Sequence, residues 1–177
     1  MVVESDESDG SFTRLPASVV IVTNIDPEHM EHYGNFDGVR EAYRNFITNI
    51  PFYGYGVLCV DHPEVQAMIP LVRARKIITY GFSDDAQVQA RNVKISAGGS
   101  TFDVHFSDQD ETIKDLHLSM PGRHNVQNVL AVLAIARQMN ISAALMRKAL
   151  GSFEGVKRRF TKTGEAGGIT VIDDYGH

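Results

Sequence analysis

Cysteine is nearly absent. Cys59 is the only one in 177 residues, which excludes an intrachain disulfide or a cysteine metal cluster and fits a reducing cytoplasmic setting. Lying in the apolar run GVLCV, it reads as a small core residue of a strand. No apolar stretch approaches the roughly 20 residues that span a bilayer. The opening MVVESDESDGS has neither a basic segment nor a long apolar one, so no secretory signal is expected. Positive charge is in deficit: 17 Lys and Arg against 22 Asp and Glu leave a formal charge of −5. That balance argues against a nucleic-acid backbone as the main partner. An anionic ligand must instead be held locally, by loops, helix N-termini or metal ions. Also missing is any GxxxxGK[ST] phosphate loop, so nothing here is complete enough to hydrolyse ATP alone. Neither an internal repeat nor a low-complexity segment is present.

What remains is ordinary for a globular protein, with 43% hydrophobic and 22% charged residues. The length suits one domain with a real core and a short piece of a second. Three β-branched runs, Ser18 to Thr23, Gly56 to Val60 and Lys76 to Tyr80, predict buried strands. Between the first two, Val39, Tyr43, Phe46, Ile47 and Ile50 recur at helical spacing until Pro51. Pro63 opens a shorter helix before the third. Strand, helix, strand, helix, strand implies a parallel sheet with right-handed crossovers. From Ala86 to Ser119, three alternating stretches predict a small added antiparallel meander. A strongly apolar helix follows PGRHN, and another runs from an N-cap at Ser142 to a stop at Gly151. The run Ile169 to Ile172 reads as a strand with no partner evident among its neighbours, as though a new domain begins there.

Four segments carry residues suited to chemistry. Glu4, Asp6, Glu7 and Asp9 crowd one loop, which fits either a hard cation such as magnesium or a solvated acidic segment. Asn24-Ile25-Asp26-Pro27-Glu28-His29 follows the first strand, where open α/β sheets bind ligands; turn chemistry explains Asp26-Pro27 equally well. Asn125 and Asn128, three apart, can present amides to a purine edge with His124 stacking nearby, or Asn125 can simply cap its helix. At the far end, Lys157-Arg158-Arg159 and Asp173-Asp174-Tyr175-Gly176-His177 offer charge for phosphates and an acceptor for ribose, or plain solvated surface.

Taken in order, ESDESDGSF, TNIDPEHMEHYG, NIPFYGYGVLCVDHPEV, PGRHNVQN, GVKRRF and VIDDYGH resemble the central, ATP-binding domain of the Mur ligase superfamily, and within it the alanine-adding branch. The resemblance runs from Val2 to His177. It implies a truncated P-loop-like α/β fold, mainly a parallel sheet flanked by helices, with the central domain over residues 1–158 and the start of a C-terminal domain over 159–177. It also implies an ATP-dependent ligase of peptidoglycan synthesis that joins L-alanine to UDP-N-acetylmuramate through an acyl phosphate, using ATP and two Mg2+ ions. By motif, Glu4 resembles the carboxylate of one magnesium site and His29 the ligand of the other. Asn125 and Asn128 match the pair beside adenine, His124 and Tyr175 flank the ring, Arg159 reaches the phosphates and Asp174 the ribose. Asp6, Glu7 and Asp9 are expected to be loop structure. Sister ligases carry a carbamylated lysine after the histidine loop; from Met30 to Val60 there is no lysine, so none is expected here. The family's phosphate loop, UDP-binding domain and most of its C-terminal domain are expected outside these residues, leaving a fragment inactive alone. Two other readings stand beside this one: the recycling ligase that adds a tripeptide to the same sugar nucleotide, and a non-catalytic scaffold.

Overall fold

The computed structural model describes residues 1–156 and 161–173. Six strands form one sheet in the order β1 (Val19–Val22), β2 (Tyr55–Cys59), β3 (Lys76–Gly81), β4 (Val88–Ser96), β5 (Gly99–Phe106) and β6 (Glu111–Leu118). The first three pair in parallel through Val19↔Tyr55 and Tyr55↔Lys76. Their β-branched runs are the strands expected, because a strand covered on both faces needs apolar residues in succession.

Alternation along β2 divides the core. Val57 and Cys59 join Tyr80, Phe102, Leu130 and Leu133 on one face, whereas Leu58 joins Val39, Ile47, Val65 and Val72 on the other. The first layer is built by α4 (Arg123–Gln138) and α5 (Ala143–Gly151), the second by α2 (Phe36–Thr48) and α3 (Pro63–Met68). Helix α2 is capped by Asn35, whose side chain accepts from Gly38 N, and α5 by Ser142, which accepts from Leu145 N. Arg40 fixes α2 to α3 by donating to both carboxylate oxygens of Glu64, at 2.7 and 2.8 Å.

The expected antiparallel meander is β4, β5 and β6, and it continues the parallel sheet: β4 pairs in parallel with β3 through Tyr80↔Val88 and Gly81↔Gln89, so all six strands share one sheet. The overlap is short, but Val88 and Gln89 pair at the same time with Phe106 and His105 of β5 on their other edge. In addition, β8 (Ile169–Asp173) does have a neighbouring partner, the antiparallel β7 (Thr161–Ala166). Gly167 and Gly168, both at positive φ (59° and 77°), make the tight turn between them. TKTGEA lacks the apolar alternation that marks a strand, which hid it from the sequence reading.

The middles of β4, β5 and β6 are tied together by Asp103, only 9% exposed. It accepts from Asn92 Nδ2 at 2.7 Å and from Asp115 N at 2.8 Å. Asn92 and Asp115 both adopt positive φ, and the register shifts beside them in β4 and between β5 and β6. One carboxylate thus satisfies the groups that two irregularities expose.

Candidate functional site

The carboxyl ends of β1, β2 and β3 open on one side of the sheet, and the N-terminus of α4 points there. Between them lies a cleft of about 790 Å³, in the size range of small-molecule sites. Thr23 and Asn24 reach it from β1, Asp61 and His62 from β2, and Glu4 from the N-terminal loop. Helix α4 contributes His124, Gln127, Asn128 and Ala131, whose spacing of three, four and seven places them on one face. Gly122 precedes α4 at φ 109° and brings no capping side chain to the first-turn N–H groups. A Cβ there would stand 2.7 Å from the His124 ring, so glycine lets that imidazole lie against the backbone.

Asn125 and Asn128 part company despite their spacing. Asn128 lines the cleft. Asn125 does not cap the helix; its Nδ2 donates back to Pro121 O at 2.7 Å, fastening the loop to the first turn.

Further along the carboxyl end of β1, the chain turns through Asp26 and Pro27, closed by Glu28 N donating to Asp26 O at 2.8 Å. His29 follows in the left-handed region, φ 53° and ψ 34°, at the N-cap of the short α1 (Met30–Tyr33). This costs of order 1 kcal/mol for a non-glycine residue and aims the imidazole at the acidic loop. Ligand-capable atoms of Glu7, Glu28 and His29 all lie within 4.8 Å of one another. His29 Nε2 is 3.7 Å from Glu7, and its Nδ1 is 3.8 Å from Glu31. Two carboxylates and an imidazole so disposed fit a divalent cation that keeps water and phosphate oxygens in its remaining positions.

The acidic loop is thereby divided by role. Asp6 accepts from Ser8 N at 2.8 Å and Asp9 from Ser11 N at 2.9 Å, both local turns as expected. These hydrogen bonds, to Ser8 and to Ser11, hold both carboxyls below their ordinary range. Glu7 turns towards His29, while Glu4 faces the cleft. Tyr33 donates its hydroxyl to Glu7 O and so ties this loop to α1. Burial, then the charges of Glu7 and Asp9, push the Tyr33 phenol upwards.

Sequence reasoning set Glu7 aside and passed over Asp61, His62 and Gln127. Asp61 and His62 follow β2 just as Asn24 and Asp26 follow β1, so the rule that strand ends bind ligands already pointed to them. Gln127 carried no local signal: its partner, Asp61, is 66 residues away. Arg159, Asp174 and Tyr175 lie outside the described residues.

The Mur ligase middle domain model matches residues 2–136. A UDP-N-acetylmuramate–L-alanine ligase of Rhodospirillum rubrum is 58% identical over the whole of this chain, which covers 38% of that protein. Among solved structures, the UDP-N-acetylmuramate–alanine ligase of Thermotoga maritima superposes with a TM-score of 0.79 at 27% identity, over 97% of this chain and 38% of that one. A murein peptide ligase of Psychrobacter arcticus gives 0.71 at 27% identity, over 94% and 33%. The chain belongs to the Mur ligase family, and it spans 38% of the length of the curated relatives it matches.

Proposed function

We propose that this chain is the ATP-binding middle domain of a cytoplasmic ligase that joins L-alanine to UDP-N-acetylmuramate in peptidoglycan synthesis. Residues 1–158 form that domain, and 159–177, which include the separate β7–β8 hairpin, begin the next. One observation carries the reading: His29 and its two glutamates stand beyond the end of β1, the strand whose end also opens on the cleft holding His124 and Asn128. Support for the alanine-adding branch comes from the 58% identity to a UDP-N-acetylmuramate–L-alanine ligase over the whole of this chain.

A free carboxylate is a poor acyl donor and must be activated. The γ-phosphoryl group passes from ATP to a muramoyl carboxylate oxygen and ADP departs. The amine of alanine then attacks the acyl carbon, expelling phosphate and losing a proton as the amide forms. Magnesium, when bound, supplies the charge neutralisation that lets phosphate and carboxylate approach. The protein's part is positioning. His29 and Glu4, joined by Glu7 and Glu28, would hold the cation side. Asn128 reads the adenine edge, His124 flanks the ring and Asn125 secures their loop. By motif alone, Arg159 is assigned to the phosphates, Asp174 to the ribose and Tyr175 to the base; all three lie outside the described residues. The phosphate loop would come from the N-terminal part of this same domain, outside these residues, and two flanking domains would supply the uridine site and the alanine site.

The test is amine dependence in the full-length ligase. ADP release with ATP and UDP-N-acetylmuramate should rise on adding L-alanine, with the matching amide as product. Stimulation by a tripeptide but not by alanine would assign the recycling reaction instead.

A further inference from the structure

We propose that Asp61 and Gln127 are a positioning pair for nucleotide binding, holding the first turns of α4 in the register that presents His124 and Asn128 to the base. The proposal rests on the reading of the cleft as an adenine site.

Asp61 stands just past β2 and collects donors from two other parts of the chain. Its Oδ1 accepts from Phe82 N and Ser83 N, each at 3.0 Å. Its Oδ2 accepts from Phe82 N at 2.8 Å and from Gln127 Nε2 at 2.6 Å. One oxygen therefore faces the loop after β3, and the other is shared between that loop and α4. The approach to the backbone depends on Gly81, where a Cβ would meet the carboxylate at 2.5 Å. A second contact joins the same two elements: the Arg123 guanidinium lies 3.9 Å above the Phe82 ring.

Gln127 sits between His124 and Asn128 on the face of α4 that lines the cleft. A charge-assisted hydrogen bond at that point fixes both rotation and height of the helix face. The loop after β3 needs only the backbone donors to hold Asp61. The bond to Gln127 is additional, and what it adds is the placement of α4.

The division of labour between the two oxygens makes the pair separable in the full-length ligase. Gln127→Ala leaves Asp61 with its backbone donors; KM for ATP should rise about tenfold, the scale of one charge-assisted hydrogen bond, with kcat within about twofold and a thermal midpoint lowered by no more than a few degrees. Asp61→Asn should raise KM by less, because a flipped Gln127 amide can accept from the new amide and leave a neutral hydrogen bond in place of the charge-assisted one, whereas Gln127→Glu sets two carboxylates against each other and should raise KM at least about tenfold. Combining Asp61→Asn with Gln127→Glu reverses the polarity: the new amide donates to the new carboxylate while its oxygen still accepts from Phe82 and Ser83. The double variant should return KM to within about threefold of the parent. An unchanged KM in Gln127→Ala, or a double variant no better than Gln127→Glu alone, overturns the pair. Asn128→Ala tests the underlying reading. If it raises KM while Gln127→Ala does not, only the positioning pair falls; if it leaves KM unchanged, the adenine reading and the pair fall together.

Discussion

Nε2 of His29 stands 3.7 Å from Oε1 of Glu7, joining the loop after β1 to the acidic N-terminal loop. Neither residue belongs to a strand or a long helix. The contact exists because His29 adopts a left-handed backbone and because Tyr33 ties the acidic loop to α1.

If Glu7 and Glu28 share a cation with His29, removing either charge weakens that ion without unfolding the protein. Glu7→Gln or Glu28→Gln in the full-length ligase should raise the magnesium concentration for half-maximal activity by about tenfold, the usual scale for a ligand or its close support. A magnesium titration at saturating ATP checks this. An unchanged midpoint for both variants would remove the two glutamates from the site.

Tyr33→Phe keeps the ring and deletes only the hydroxyl that Glu7 O accepts. Stability should fall by about 1 kcal/mol, the net worth of one hydrogen bond, while the magnesium requirement rises as the loop loosens. Urea denaturation and the same magnesium titration give the two readings, and a normal titration would detach loop order from ion binding.

Asp103 predicts a pH signature. Its hydrogen bond from Asn92, then that from Asp115 N, hold its carboxyl below the ordinary 3.8 despite opposing burial. A carboxyl depressed in the folded state contributes stability that is fully present above its unfolded value and is lost as pH falls through the folded one. Asp103→Ala should therefore cost about 1–2 kcal/mol at pH 7, since two part-buried hydrogen bonds to a carboxylate are lost. Below about pH 3.8 the gap between parent and variant should narrow. Denaturation curves at pH 7 and in the acid range test the sign, and a gap that widens in acid would contradict it.

Leu130 is fully buried at the centre of the core that α4 shares with β2 to β5. Leu130→Ala should lower unfolding free energy by about 2–5 kcal/mol, the range for a large-to-small change in a packed core. Since the same helix carries Asn128 on its cleft face, ATP affinity should weaken as well. Loss below about 1 kcal/mol in urea would show that α4 is looser than its burial implies.

Much of the fold is legible in the sequence for a local reason. SVVIVT, GVLCV and KIITY are strands covered on both faces, and the spacing of Val39, Phe46 and Ile47 marks the buried side of α2. What escapes is whatever depends on distant partners. β7 has no apolar pattern and exists through its pairing with β8, although Gly167-Gly168 signalled the turn. The joining of β3 to β4 rests on two residue pairs that no local pattern announces. The site divides in the same way. His29, His124 and Asn128 are found from their places at strand ends and on a helix face. Asn125 turns away, Glu7 turns in, and Asp61 meets Gln127 only because the folded sheet brings them together.

In the proposed reading the cleft and the His29 cluster act as one nucleotide and magnesium site. The most direct test is phosphate release by the His29→Ala full-length ligase supplied with ATP, UDP-N-acetylmuramate and L-alanine. The loop carrying His29 is partly exposed, so the thermal midpoint should stay put while the rate falls by about 100-fold, as for loss of a metal ligand. Phosphate release at the parent rate would contradict the account.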